Sequence, residues 1–150
     1  MTVNRERLDR AVATTRAHLL SLQADGPWWE GHLSSSAVAT ATATMALALA
    51  SDHADRHLVT HGAEWLARTQ NDDGGWGDTP DSPSNIAATL LSTCALTVAQ
   101  AQPEALARAR EYLTTAVPEG DPAAAVRRRY GEDRTFQAPI LAVAAAHGRG

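Results

Sequence analysis

Leu8, Val12, Leu19 and Leu22 recur at helical spacing near the start of the chain, while Arg5, Glu6, Asp9 and Arg16 stay on other faces. This pattern predicts an amphipathic helix over residues 5–23, with counterparts over residues 53–70 and 103–116. Alternating with these are segments almost without charge, at residues 36–49, 84–98 and 135–147. A helix with no polar face must be covered on most sides, so these read as inner helices and the amphipathic ones as outer helices. Ser36, Ser51 or Asp52, and Ser84 stand where a short side-chain oxygen can accept first-turn N–H groups, and Pro103 and Pro122 fit first-turn positions.

The order outer helix, turn, inner helix repeats. His18-Leu19 followed by Gln23 returns as Trp65-Leu66 followed by Gln70, and the aromatic-leucine pair returns again as Tyr112-Leu113, each step being 47 residues. After the glutamine, Asp25-Gly26 and Trp28 correspond to Asp73-Gly74 and Trp76. The third copy has Val117 in place of the glutamine, followed by Pro118-Glu119-Gly120. A helical pair of this kind cannot enclose its own apolar face, so neighbouring pairs must stack. The fold class expected is all-α, an α/α toroid of helical hairpin repeats, here a partial α/α barrel. Residues 1–150 are expected to form one repeat region that is incomplete, because no polar capping repeat follows. Ile140, Leu141 and Val143 on the last helix are expected to stay uncovered and to drive association.

The most specific stretch is Gln70-Asn71-Asp72-Asp73-Gly74-Gly75-Trp76-Gly77-Asp78. A glutamine at a helix end can bond to free carbonyls and to N–H groups of a neighbouring helix, and Trp76 can lay its face across that amide. Gly74 and Gly75 allow positive φ, and Asp73 can cap the turn. Gln23, Gly26 and Trp28 form a shorter version of the same device.

These turns resemble the glutamine-tryptophan motif of the squalene and oxidosqualene cyclase family, found in diluted form in prenyltransferase β-subunits. The segment from Arg129-Tyr130-Gly131 through Asp133-Arg134-Thr135-Phe136 to Pro139-Ile140-Leu141 is similar to a Tyr-Gly-x-Asp-Arg-Thr-Phe-x-x-Pro-Ile-Leu segment of bacterial squalene-hopene-cyclase-like proteins. The resemblance spans almost the whole chain but only the first part of a family member. It implies a scaffold segment of an enzyme that cyclises a squalene-like polyprene by protonating an alkene from an Asp-x-Asp-Asp acid, with aromatic faces stabilising the carbocation. It implies no cofactor, and as partners either the remaining cyclase segment or a second copy of the chain. It also implies peripheral contact with a membrane. The sequence departs from the family in two ways: it has no Asp-x-Asp-Asp, and residues 34–44, Ser-Ser-Ser-Ala-Val-Ala-Thr-Ala-Thr-Ala-Thr, carry none of the carboxylates that better-known members place there. No catalytic residue is therefore assigned. The rival reading is a non-catalytic α/α module that binds a protein or lipid through an inner-helix surface.

Composition narrows the partners. The net charge of −4 gives no basic field for nucleic acid. The single Cys94 forms no internal disulfide, and the charged start MTVNRERLDR has no apolar run of signal-peptide form behind it, so a cytoplasmic location is expected. Residues 37–50 are too few to cross a bilayer and are interrupted by Thr40, Thr42 and Thr44. His53, His57 and His61 share a helical stripe, but no acidic or thiol ligand accompanies them and an exposed helical turn next to Gly62 is the better reading. Asn71, Asp72, Asp73, Asp78 and Asp81 lack the closing glutamate of a calcium loop, and no metal is expected. The zinc ligands of protein prenyltransferases have no counterparts here. Arg127-Arg128-Arg129 is offset by Glu132 and Asp133 and reads as a solvated helix end, and Cys94 as a buried, inert thiol.

Overall fold

A computed structural model of the chain describes residues 4–23, 26–50, 55–117 and 120–147. Among them all regular structure is helical: α1 (Arg5–Ser21), α2 (Ala37–Ala50), α3 (Arg56–Arg68), α4 (Ile86–Ala99), α5 (Pro103–Ala116), α6 (Pro122–Tyr130) and α7 (Arg134–His147). The chain divides into two compact units, Met1–Ser34 and Ser35–Gly150.

In the first unit Asn4 starts α1 by accepting from Arg7 N–H at 3.1 Å, and Trp29 Nε1 donates to the Leu19 carbonyl at 2.7 Å. The apolar stripe expected to face a core does not do so, since no α1 residue is buried and Leu8, Val12, Leu19 and Leu22 are each more than half exposed. Hydrophobic spacing selected the helix correctly, and within this unit, among the described residues, no second helix packs against its stripe.

The second unit is organised around α4, which packs against α2, α3, α5, α6 and α7. Ten consecutive α4 residues, Ala87 through Leu96, are buried, which explains why this segment carries no charge. The helices around it each contribute a narrow stripe. On α2 it is Ala37, Ala41, Thr44 and Met45; on α5 it is Ala105, Ala109 and Leu113. These small residues let backbones approach closely. A Cβ on Gly62 of α3 would run into the Thr44 hydroxyl of α2, so Gly62 is a helix–helix contact, while His57 and His61 are exposed as expected.

Three further differences from the sequence reading have local causes. Asn85, and not Ser84, caps α4: the helix starts at Ile86, so Asn85 holds the cap position and its Oδ1 accepts from Ala88 N–H at 2.9 Å, while the Ser84 hydroxyl, one residue earlier, donates to the Asp73 carboxylate at 2.7 Å. After Val117, where the third copy has no glutamine turn, the chain builds a further helix, α6, that the alternating pattern did not include. Asp121 accepts from Ala124 N–H at 3.1 Å and Pro122 occupies its first turn, so α6 is started by the same residue types that mark the others. Finally, α7 is not left bare on the side expected. Ile140 is buried, and Leu141 and Val143 are half-buried against the core, because α7 folds back on α4 and α6. Ser36 does begin α2, accepting from Ala39 N–H at 3.3 Å. Ser51, Asp52, Asp25 and His53 lie outside the described residues.

Candidate functional site: the glutamine-tryptophan turn and the cavity beside it

The stretch 70–85 leaves α3, reverses and enters α4, and its polar atoms are used almost completely. Gln70 Nε2 donates to the Gly74 carbonyl within the turn and to the Ala105 carbonyl in the first turn of α5, both at 2.8 Å. It thus joins the end of one helix to the start of the second helix after it. Its Oε1 is buried without a hydrogen-bond partner. Trp76 is 1% exposed; its Nε1 donates to the Leu66 carbonyl of α3 at 2.9 Å and its backbone N–H donates to Thr89 Oγ1 of α4 at 3.0 Å. The indole therefore bridges the two helices that flank the turn.

Asp73 Oδ1 accepts from Gly75 N–H at 3.0 Å and from the Ser84 hydroxyl at 2.7 Å, closing the loop across its base. The two glycines serve different ends. Gly74 has φ of +85°, and a Cβ there would stand 2.6 Å from the Arg108 carbonyl of α5. Gly75 does not have positive φ; its constraint is space, since a Cβ would meet Ser84 Cβ at 2.6 Å. Of the first-unit residues, Gly26 lies under the Trp28 ring, Trp28 is 55% exposed, and Gln23 is half-buried at the end of α1.

Several contributors were not legible beforehand. Asn71 Nδ2 donates to the Ser82 carbonyl at 3.1 Å and to Ser84 Oγ at 2.9 Å, and Arg108 Nη2 reaches back from α5 to the Asn71 and Asp72 carbonyls at 2.8 and 3.3 Å. The only sequence signal for Asn71 and Ser84 was their turn-forming residue type; Arg108 gave none. Burial and the Asp73 carboxylate raise the Tyr112 phenol above its ordinary 10.0. Two carboxylates of this stretch are structural oxygen acceptors: that of Asp73 in the closure of the loop, and that of Asp78, whose Oδ1 takes the Asn85 amide at 3.0 Å.

Beside the turn lies a cavity of about 530 Å³ between α2, α4 and α7. Mostly apolar side chains from the three helices form its walls, together with Ser36 and Thr42; Tyr130 and Phe136 line it with ring centroids 6.5 Å apart, and Asp78 is the one charged residue on its lining among the described residues. A second cavity of about 280 Å³ shares Asp78, Ala87 and Tyr130 with the first, and adds Tyr112 and Arg129.

The remaining chemical groups are quiet. Burial pushes the Cys94 thiol from 9.0 up to about 11, so it is a neutral core residue and a poor nucleophile. Asp133 is held below its ordinary value by the Thr135 N–H, which it accepts at the start of α7. Arg127 pairs with Asp121 at 3.3 Å on the surface. His57 and His61 meet edge to face at 6.2 Å, and no cluster of three or more His, Cys, Asp or Glu among the described residues could hold a metal ion. No helix among the described residues is long and apolar enough to cross a membrane.

Compared with known proteins, the chain matches the squalene-hopene cyclase N-terminal domain over residues 12–124, about three quarters of its length, from within α1 to within α6. No curated protein and no solved structure matches it. With both turns inside the matched region and an all-helical architecture around them, the chain belongs to the squalene-hopene cyclase family, in its N-terminal part.

Proposed function

We propose that this chain is the N-terminal scaffold segment of a squalene-hopene-type terpene cyclase and supplies none of the acid that starts the cyclisation. The observation that carries this reading is how the acidic residues are placed. Asp73 and Asp78 hold the turn together, and every carboxylate among the described residues is exposed or only half-buried. Protonating an alkene requires a carboxylic acid kept neutral away from water, whereas water-exposed carboxylates are ionised at neutral pH. The turn meanwhile ties α3 and α5 to the uncharged inner helix α4, which suits a scaffold for a hydrocarbon path. The polyprene substrate, hopanoid-type product and membrane-drawn supply all follow from family membership and belong to this proposal.

The direct experiment is to incubate the purified chain with squalene and analyse the extract by gas chromatography and mass spectrometry. No cyclic product is expected. Cyclic triterpene formed by these residues alone would overturn the assignment of the acid elsewhere. A second reading, a non-catalytic module that binds a lipid through its inner helices, is favoured by one feature, the apolar cavity bordered by α2 and α4.

A further inference from the structure

We propose that the cavity between α2, α4 and α7 is a binding site for a small cationic amphiphile, an ammonium head group on a single alkyl chain. Three observations converge. First, the volume of about 530 Å³ falls within the roughly 300–1,000 Å³ range of small-molecule sites, and the walls include Met45, Leu91 and Val143 for an alkyl chain, while the Thr42 hydroxyl on the lining already donates to the Val38 carbonyl. Second, the charge on the lining is of one sign. Asp78 spends one oxygen on the Asn85 amide, and its other oxygen has no hydrogen-bond partner among the described residues. Third, two aromatic rings, Tyr130 and Phe136, border the same cavity with centroids 6.5 Å apart, and ring faces attract cations.

Asp78 and Tyr130 both border the second cavity as well, so the carboxylate and the phenol ring line the same two adjoining spaces. An ammonium there meets a carboxylate and an aromatic pair together, while its tail runs into the apolar cleft. A carboxylate or phosphate head would be repelled by Asp78, and an uncharged head would gain neither attraction. Arg129 is the nearby group that works against this. It borders the second cavity but not the first, and forms no ion pair with Asp78 among the described residues. The site does not rest on the cyclase reading: ligand binding and squalene turnover are separate measurements, so one can fail without the other.

Titration calorimetry on the full chain with octyltrimethylammonium, 1-octanol and octanoate, all below micelle-forming concentrations, tests the site. The ammonium compound should bind about tenfold more tightly than octanoate and measurably more tightly than octanol. Asp78→Asn keeps an oxygen for the Asn85 amide, and should weaken the ammonium by roughly fivefold, the size of one solvent-accessible charge pair, leaving octanol unchanged. Val143→Trp fills the cleft and should abolish binding of all three, with its melting curve recorded to establish that it folds. Equal binding of the three ligands, no binding of the ammonium, an Asp78→Asn effect under twofold, or wild-type binding by folded Val143→Trp would each overturn the proposal.

Discussion

Replacing Trp76 by Ala removes the largest fully buried side chain of the second unit, and its cost can be worked from the contacts. The ring is 1% exposed and wedged between α3 and α4, so nearly its whole apolar surface returns to water or lines a void. Truncating a buried tryptophan costs about 3–5 kcal/mol. The lost Nε1 hydrogen bond adds little, because the Leu66 carbonyl keeps the Thr69 N–H at 3.2 Å and is not left orphaned. The backbone bond from residue 76 to Thr89 Oγ1 survives the change of side chain. We therefore expect about 3–5 kcal/mol for Trp76→Ala and about 1–2 kcal/mol for Trp76→Phe, which retains most of the area but not the donor. Urea unfolding followed by far-ultraviolet circular dichroism gives both values from the shift in midpoint at constant slope. Trp28→Ala is the internal control: with the ring 55% exposed, its loss should cost no more than about 1 kcal/mol. If Trp76→Ala fell in the range of Trp28→Ala, the indole would not be the bridge between α3 and α4 and the structural role given to the turn would be wrong.

Two further outcomes follow from the same geometry. Gly74→Ala forces a Cβ into positive φ and against the Arg108 carbonyl, and should destabilise by about 2 kcal/mol or more in the same unfolding assay; a neutral effect would place the turn away from α5. Burial raises the Cys94 thiol from 9.0 to about 11, so the stability its neutral form contributes is complete below pH 9 and is lost as the pH rises from 9 to 11, where the unfolded chain ionises first. Tyr112 is also raised and titrates nearby, so the measurement is the difference between wild type and Cys94→Ala, which should shrink over that window; an unchanged difference would mean the thiol is open to water.

The sequence by itself determined six of the seven helices among the described residues, the burial of the uncharged α4 and the family, whereas α2 and α7, expected to be covered on most sides, bury only a few positions each. What it determined is set by local chemistry: apolar spacing on α1, α3 and α5, absence of charge on α4, and the Gln-Asp-Gly-Trp run whose residue types suit one tight turn. It also placed Trp76 and Gln70 at the turn, though not their partners. The carbonyls of Leu66 and Ala105, the hydroxyls of Thr89 and Ser84 and the guanidinium of Arg108 depend on which helices lie side by side, and no local spacing encodes that. Between two adjacent residues able to cap, the tertiary structure starts α4 at Ile86 and so gives the cap to Asn85, while Ser84 turns its hydroxyl to Asp73. It also turned α7 onto α4, burying Ile140, since periodicity states that a face is apolar but not what will cover it. The cavity with Asp78, Tyr130 and Phe136 on its lining is the clearest case: residues 78, 130 and 136 are brought together only when α2, α4 and α7 pack, because a cavity is a property of surfaces that fail to meet.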